Sequence, residues 1–260
     1  MVRLEKQAQV KELVDKERKR MPRLGTRKIY HRIKPQLESA GLKVGRDKLF
    51  SWMEEYGLLI RPRKRYVQTT MSKHWMKKYP NLIKDTIVTK PEQVWVSDIT
   101  YIKTEEGNCY LNMITDAYSR MIVGYALDDN MEASNMVKAL QMALKSRQDK
   151  QSNIIHHSDR GSQYCSQDYV SVANYNQIKM SMTENGDPYE NALAERMNRT
   201  IKEEFGLDNI VKTKAQVLQV VEESVELYNH CRPHLALGMK TPSEVHQIKN
   251  PDHQRQSGLL

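Results

Sequence analysis

Residues 94–127 restrict the fold of this chain more than any other stretch. They are rich in β-branched and aromatic residues in three runs, which predict strands at 94–104, 109–116 and 121–127. The first run ends in Glu-Glu-Gly-Asn, a hairpin signal, and a turn around Ser119 separates the second from the third. The sequence therefore predicts three consecutive strands joined as hairpins.

Helices and strands alternate after residue 127. Apolar residues at helical spacing predict a helix at 134–146, and shorter patterns predict a strand at 153–156, a helix at 168–174 and a strand at 178–182. A capping box at Thr213 opens a long helix that reaches about Cys231, and Thr241-Pro242 opens a short one. Together these elements predict an α/β fold, a mixed five-stranded sheet with flanking helices.

Charge divides the chain near residue 90. Residues 1–90 carry 24 Lys and Arg against 9 Asp and Glu, whereas residues 91–260 carry 17 against 23. This imbalance indicates a polyanionic partner held by the first part and handled by the second, although a basic solvated surface has the same composition. We expect a helical DNA-binding region at 1–66, a linker at 67–92, a core with C-terminal helices at 93–250 and a tail at 251–260.

The first region contains a polar helix at about 3–20 and then two short helices split by a Gly-containing turn. Pro35 is expected to kink or interrupt the first of the pair, and Gly41 to end it. The second covers about 46–56, with Arg46, Lys48 and Trp52 off its apolar face. The pair fits a small all-α helix-turn-helix domain, although a generic helical hairpin shows the same pattern. A basic run follows directly and is a candidate DNA contact: Arg61, Arg63, Lys64 and Arg65.

The composition of the chain also bears on its cellular location. No run of about 18 apolar residues and no signal peptide occurs, so we expect no membrane contact and a cytoplasmic protein. The three cysteines, Cys109, Cys165 and Cys231, are far apart, which argues against a disulfide framework or a CxxC zinc site.

Three acidic residues stand out as candidate metal ligands. Asp98 lies in the middle of the first strand, where a carboxylate needs a cation, hydrogen-bond donors or a raised pKa. Asp159 lies where a strand ends and a glycine loop begins. Glu195 lies on a predicted helix, on the same side as Asn198, Arg199 and Lys202.

Oxygen-only ligands of this kind favour Mg²⁺ or Mn²⁺, and two such ions suit an in-line displacement at phosphorus. No single acid is specific, so four others remain alternatives: Asp116, Glu184, Asp187 and Glu190. His156 and His157 precede Asp159, and one of them is a candidate for steadying a carboxylate or a phosphate.

Linked motifs carry a family resemblance. They read WVSDITYI at 95–102, HSDRGSQY at 157–164 and GDPYENA at 186–192, with 35 residues between Asp159 and Glu195; YNHCRPH follows at 228–234. Over about residues 25–250 the chain resembles the bacterial insertion-sequence transposases of the DDE type, which have a retroviral-integrase-like core. Within that type it is similar to the second-frame protein of the two-frame group.

The resemblance implies an RNase H-like core in which Asp98, Asp159 and Glu195 are the catalytic metal ligands, holding two Mg²⁺ ions that Mn²⁺ can replace. It implies a polynucleotidyl transferase that uses water to free a 3′-hydroxyl at the element's end and directs that hydroxyl at a target phosphodiester. Lys202 matches a basic position that contacts transposon-end DNA, and Arg199 is a further candidate. Since no cysteine precedes Cys109, we do not expect the N-terminal zinc module of retroviral integrases.

The implied partners are double-stranded DNA at the element's ends and at the target, a second copy of the chain on DNA, and an upstream-frame protein. We expect a bacterial cytoplasmic protein that is associated with the nucleoid when DNA-bound. Two other hypotheses stay open from the residues alone. A DNA-binding regulator would bind DNA without binding metal, and a nuclease of the same fold would cleave DNA without joining it.

Overall fold

The computed structural model describes residues 2–60, 75–150, 152–184, 188–207 and 212–247. Within these ranges, none of the helices is both long enough and apolar enough to cross a bilayer. Single 3₁₀ turns occupy Pro188–Asn191 and Leu235–Leu237. The helices and strands, in chain order, are α1 Val2–Arg20, α2 Thr26–Ser39, α3 Arg46–Glu55, β1 Val94–Thr104, β2 Gly107–Asp116, β3 Ile122–Asp128, α4 Ala133–Ser146, β4 Ile155–Ser158, α5 Gln167–Tyr175, β5 Lys179–Met182, α6 Ala192–Glu204, α7 Lys214–Cys231 and α8 Pro242–His246.

The five strands form one sheet in the order β3-β2-β1-β4-β5. Strands β1, β2 and β3 pair antiparallel as hairpins, whereas β4 and β5 are parallel to β1 and to each other. The predicted mixed sheet with flanking helices is therefore confirmed. The fourth strand was placed two residues too early, at 153–156. It pairs instead from Ile155 onward, because the polar His156 and His157 at its centre are buried rather than part of a loop.

Helix α4 packs closely on β3 through residues without large side chains. A Cβ atom added at Gly124 would overlap the backbone carbonyl oxygen of Ala139 and press on Ala143. Glycine is therefore required at this crossing, because any side chain would push the helix off the sheet.

Pro35 was expected to kink or interrupt α2; the helix continues through it, so the predicted interruption was wrong, and the kink stays a prediction. Pro35 is exposed, and the helix buries Ile29 and Ile33 before it and Leu37 after it. Their burial on one face offsets the hydrogen bond that proline cannot donate. The helix ends as predicted, with Gly41 in the left-handed region at φ 66°.

Trp52 is buried at 5% exposure, although its position in the sequence placed it off the apolar face of α3. It shares a hydrophobic core with Val14 of α1 and Ile33 of α2. Lys48 lies over its ring, 5.7 Å from the centroid, and remains exposed. The tryptophan is thus a packing residue of the three-helix unit, which consists of α1, α2 and α3.

The hydrophobic core of the three-helix unit continues into the rest of the chain. Buried side chains of α1 to α3 belong to the same cluster as Ile201 of α6 and Val221 of α7. An ion pair of 3.0 Å between Lys28 of α2 and Glu204 of α6 crosses the same boundary. The unit formed by α1, α2 and α3 therefore packs against α6 and α7. The predicted domain limits at 66 and 92 stay predictions, and residues 61–74 lie outside the described ranges.

Candidate active site

Parallel pairing of β1 with β4 places Asp98 beside Asp159. The last paired residues of the two strands are Ser97 and Ser158, and each acid is the next residue along its chain. Paired strands lie about 4.8 Å apart. Asp98, inside β1, and Asp159, just after β4, therefore lie side by side at the same level of the sheet.

Glu195 comes from the first turn of α6, which packs against β1. Its side chain is largely exposed, yet partial desolvation raises its pKa. The positive charge of Arg199, one turn later, opposes that rise, and the negative charge of Asp159 adds to it. Because Glu195 also contributes to the raised pKa of Asp98, each of the three acids interacts electrostatically with the other two.

Asp98 is the most perturbed of the three acids. Burial raises its pKa to about 7, and the negative charge of Asp159 adds to the rise. Asn198 donates a hydrogen bond from Nδ2 to Asp98 Oδ2 at 2.8 Å, and this bond and one from the backbone of Ile99 oppose the rise. A carboxylate whose ionised form is disfavoured by a like charge is one that a cation would stabilise.

Asp159 is held by the glycine loop that follows it. The backbone N–H of Gly161 donates to Asp159 Oδ1 at 3.0 Å. A Cβ atom added at Gly161 would stand 3.0 Å from both Asp159 Oδ1 and Gln163 Oε1. A side chain at position 161 would therefore displace the carboxylate, which gives this glycine a role in its placement.

The donor chemistry of the site fits a hard divalent cation, although the side chains are not in ligating positions. Within the described residues, no three Asp, Glu, His or Cys side chains lie close enough together to hold a metal ion as they stand. All three acids nevertheless offer oxygen, which Mg²⁺ and Mn²⁺ prefer. The buried Oδ1 of Asn198 has no hydrogen-bond partner in the described part of the chain. The site thus contains an oxygen atom, Asn198 Oδ1, that could contact a cation or its water shell and is not used by a hydrogen bond within the site.

Two of the alternative acids have local structural roles. Asp116 is fully buried, and its carboxylate accepts hydrogen bonds from the backbone of Glu92 at 2.7 Å and of Ser119 at 2.8 Å. Glu190 accepts a hydrogen bond from the backbone N–H of Glu184. Asp187 lies outside the described residues.

His156 and His157 are both fully buried, and burial lowers the pKa of each, to about 3 and about 4. His156 Nε2 lies 3.0 Å from the hydroxyl of Tyr169. His157 Nδ1 lies 2.9 Å from Ser181 Oγ, and its Nε2 lies 3.1 Å from the backbone oxygen of Glu190. The two histidines are neutral core residues that fix neighbouring elements to β4.

The basic candidates fall into two groups. Lys202 packs against β1 just beyond Asp98. Its Nζ lies 3.4 Å from Thr100 Oγ1 and 4.6 Å from the ring centroid of Tyr101. Arg46, the first residue of α3, is exposed and pairs with Asp47 at 2.9 Å. Four further candidates lie outside the described residues: Arg61, Arg63, Lys64 and Arg65.

Sequence reasoning missed the polar residues around the acids. Asn198 was grouped with Glu195 by helical spacing but was given no role, and its contact with Asp98 could have been inferred from that spacing. Buried polar residues next to the site carried no comparable signal: Ser97, Asn112 and Asn191.

Comparisons with known proteins identify the fold of the chain. The family described as Integrase core domain matches residues 88–188, and a second family of the same description matches residues 176–242. The intasome structure of simian T-cell lymphotropic virus, solved with a PP2A regulatory subunit, has a chain that is similar to this one at a TM-score of 0.54 and 17% identity, over 82% of this chain and 71% of that one. The sheet is therefore that of an integrase core, and the RNase H-like fold is confirmed.

Curated relatives identify the family. The chain is 38% identical to the insertion element IS600 uncharacterized 31 kDa protein of Shigella sonnei, over 84% of this chain and 81% of that protein. It is 32% identical to the transposase for insertion sequence element IS904 of Lactococcus lactis, over 84% of this chain and 87% of that protein. The chain belongs to the bacterial insertion-sequence transposases, polynucleotidyl transferases that move DNA by integrase-type catalysis.

Proposed function

We propose that Asp98, Asp159 and Glu195 are the catalytic carboxylates of this transposase and hold two Mg²⁺ ions, which Mn²⁺ can replace. The observation that carries this proposal is the mutual repulsion of three acids from β1, the loop after β4, and α6, with the pKa of Asp98 raised to about 7. A half-buried carboxylate facing another acid costs free energy unless a cation offsets the repulsion.

The proposed chemistry is transfer at a DNA phosphodiester. Two bound ions of this kind activate an attacking oxygen and stabilise the leaving oxygen of an in-line displacement at phosphorus. The chain's own residues fix the oxygens that hold the ions: Asn198 restrains the carboxylate of Asp98, and the N–H of Gly161 restrains that of Asp159. Water would be the first nucleophile at the element's end, and the freed 3′-hydroxyl the second, at the target.

Double-stranded DNA is the substrate of the family, and we propose two contact regions for it. Arg199 and Lys202 follow Glu195 along α6, and Lys202 lies against β1 near Asp98, which supports contacts of both with phosphates beside the acids. Arg46 and Lys48 are exposed at the start of α3, as expected for a helix that enters a major groove. The basic run at 61–65 would add contacts to the DNA backbone.

Joining two element ends requires two copies of the site, so we propose at least a dimer on DNA, with an upstream-frame protein as a further partner. The similar viral chain comes from an intasome, which supports assembly on DNA. DNA association would also place the protein at the bacterial nucleoid.

The test uses the purified chain with a labelled, pre-cut end of its element bearing a free 3′-hydroxyl, with and without Mg²⁺. Asp159→Asn and Glu195→Gln should lower the yield of joined product by at least about a hundredfold, since even outer partners of metal ligands are worth 10–100-fold. Glu190→Gln is the matched control, because glutamine can still accept the hydrogen bond from Glu184.

Full joining activity in either variant of the proposed ligands would refute the assignment. Cleavage of an uncut end without joining of the pre-cut one would instead indicate a nuclease. Intact DNA binding with no metal dependence of any step would indicate a DNA-binding regulator.

A further inference from the structure

Four polar residues lie buried beneath the three acids and bond to one another. Ser97, Asn112 and Tyr164 are fully buried, and Asn191 is 5% exposed. Ser97 Oγ donates to Asn112 Oδ1 at 3.0 Å, and Tyr164 Oη donates to the same oxygen at 2.9 Å. The two hydroxyls lie 2.9 Å apart. Burying polar groups costs free energy even when they are paired, so an apolar set of similar volume would serve packing alone at least as well.

These four residues come from the elements that carry the acids. Ser97 precedes Asp98 in β1, and its backbone oxygen accepts a hydrogen bond of 3.0 Å from Asn191 Nδ2, at the residue before α6. Tyr164 lies in the loop that begins with Asp159. Since side chains alternate along a strand, Ser97 points to the opposite face from Asp98 and acts on the backbone, not on the carboxylate.

We propose that Ser97, Asn112, Tyr164 and Asn191 form a buried polar hub that fixes the separation of the three carboxylates and thereby sets the affinity of the site for divalent metal. The hub ties the loop after Asp159 to β1 through Tyr164 and ties the start of α6 to β1 through Asn191. All four are positioning residues. The inference rests on the proposed assignment of the acids as metal ligands.

Tyr164→Phe is the sharpest perturbation, and the chain offers a matched control. Tyr169 is equally buried, and its hydroxyl lies 3.0 Å from His156 Nε2, outside the hub. Tyr169→Phe therefore removes a buried tyrosine hydroxyl from the same region without breaking a hydrogen bond of the hub. Ser97→Ala removes the hub hydroxyl from the other side and keeps the backbone oxygen that Asn191 uses.

The first measurement is the unfolding midpoint of the full chain during titration with Mn²⁺, without DNA. Tyr164→Phe and Ser97→Ala should raise the Mn²⁺ concentration for half-maximal stabilisation by about tenfold or more, the usual effect of losing an outer partner of a metal site. Tyr169→Phe should leave it within about twofold. In the double variant of Ser97 and Tyr164 the increase should be smaller than the product of the two single increases, because both single changes already break the contact between the two hydroxyls.

The second measurement is the joining rate on a pre-cut end. In Tyr164→Phe the rate should fall at low Mn²⁺ and recover at saturating Mn²⁺, whereas loss of a structural role alone would not be rescued by metal. Equal Mn²⁺ dependence in Tyr164→Phe and Tyr169→Phe would overturn the hub. Asp98→Asn distinguishes failure of the metal assignment from failure of the hub. If this variant binds Mn²⁺ like the wild type, or if the wild type binds none, the metal assignment is refuted. If Asp98→Asn loses binding while Tyr164→Phe and Ser97→Ala keep it, only the hub is refuted.

Discussion

Replacing Asp98 by asparagine should stabilise the metal-free protein at pH 8. Burial and then Asp159 raise the pKa of Asp98 from 3.8 to about 7 in the folded protein. The folded state therefore binds this proton more tightly than the unfolded chain does. Stability falls as the pH rises from about 4 to about 7 and stays at the lower value above that range.

The size of this loss of stability follows from the pH interval over which Asp98 ionises. One pKa unit corresponds to about 1.4 kcal/mol, so ionisation of Asp98 between pH 5 and pH 8 would cost at most about 3 kcal/mol. The side chain is partly exposed, and screening by water reduces this to about 1–2 kcal/mol. Asparagine has no charge to desolvate and would remove this dependence.

The assay is urea unfolding in the presence of a chelator, at pH 5 and pH 8, for the wild type, Asp98→Asn and Asp85→Asn. Asp85 is an exposed aspartate on the segment before β1 and serves as the control. From pH 5 to pH 8 the free energy of unfolding should fall by about 1–2 kcal/mol less in Asp98→Asn than in the other two proteins. Equal falls in all three would show that Asp98 is not held in a repulsive environment, and the electrostatic argument for the site would fail.

Three further changes test other parts of the structure. Glu204→Gln should lower the free energy of unfolding by roughly 3 kcal/mol, measured in urea, because it leaves the buried Arg232, now bonded to Glu204 at 2.6 Å, without its carboxylate. Gly124→Ala should cost about 1–3 kcal/mol in the same assay, since the added methyl group meets the backbone of Ala139; unchanged stability would contradict the close packing of α4. Lys202→Ala should weaken binding to all DNA sequences and reduce the salt dependence of log Kd by about one ion, measured by titration at several salt concentrations.

The sheet was predictable because its strands carry strong local signals. Strand β1 begins and ends where its β-branched run and its Gly-Asn turn place it. Once β4 is recognised as parallel to β1, the proximity of Asp98 and Asp159 follows from the register of the two strands, whose pairing ends at Ser97 and Ser158. Glu195 depended on the resemblance to a known family, because no local pattern separates it from the other glutamates of its helix.

The remaining features depend on tertiary contacts that a local pattern does not encode. Pro35 looks like a helix breaker, and only the burial of α2 on both sides of it keeps the helix intact. Trp52 looks exposed on a helical wheel, but α1 and α2 cover it. The hub could not be predicted from the sequence for the same reason. Ser97 and Asn112 interrupt the apolar pattern of two strands, and their hydrogen bonds to Tyr164 exist only in the folded chain.

Helix α6 is fixed at its two ends by different parts of the chain. At its start Asn191 bonds to the backbone of β1, and at its end Glu204 pairs with Lys28 of α2. Glu195 and Glu204 lie about 13 Å apart along one continuous helix. A packed helix shifts as a unit because its neighbours resist local deformation. On the proposed assignment, the position of Glu195 therefore depends on both contacts, with β1 through Asn191 and with α2 through Glu204.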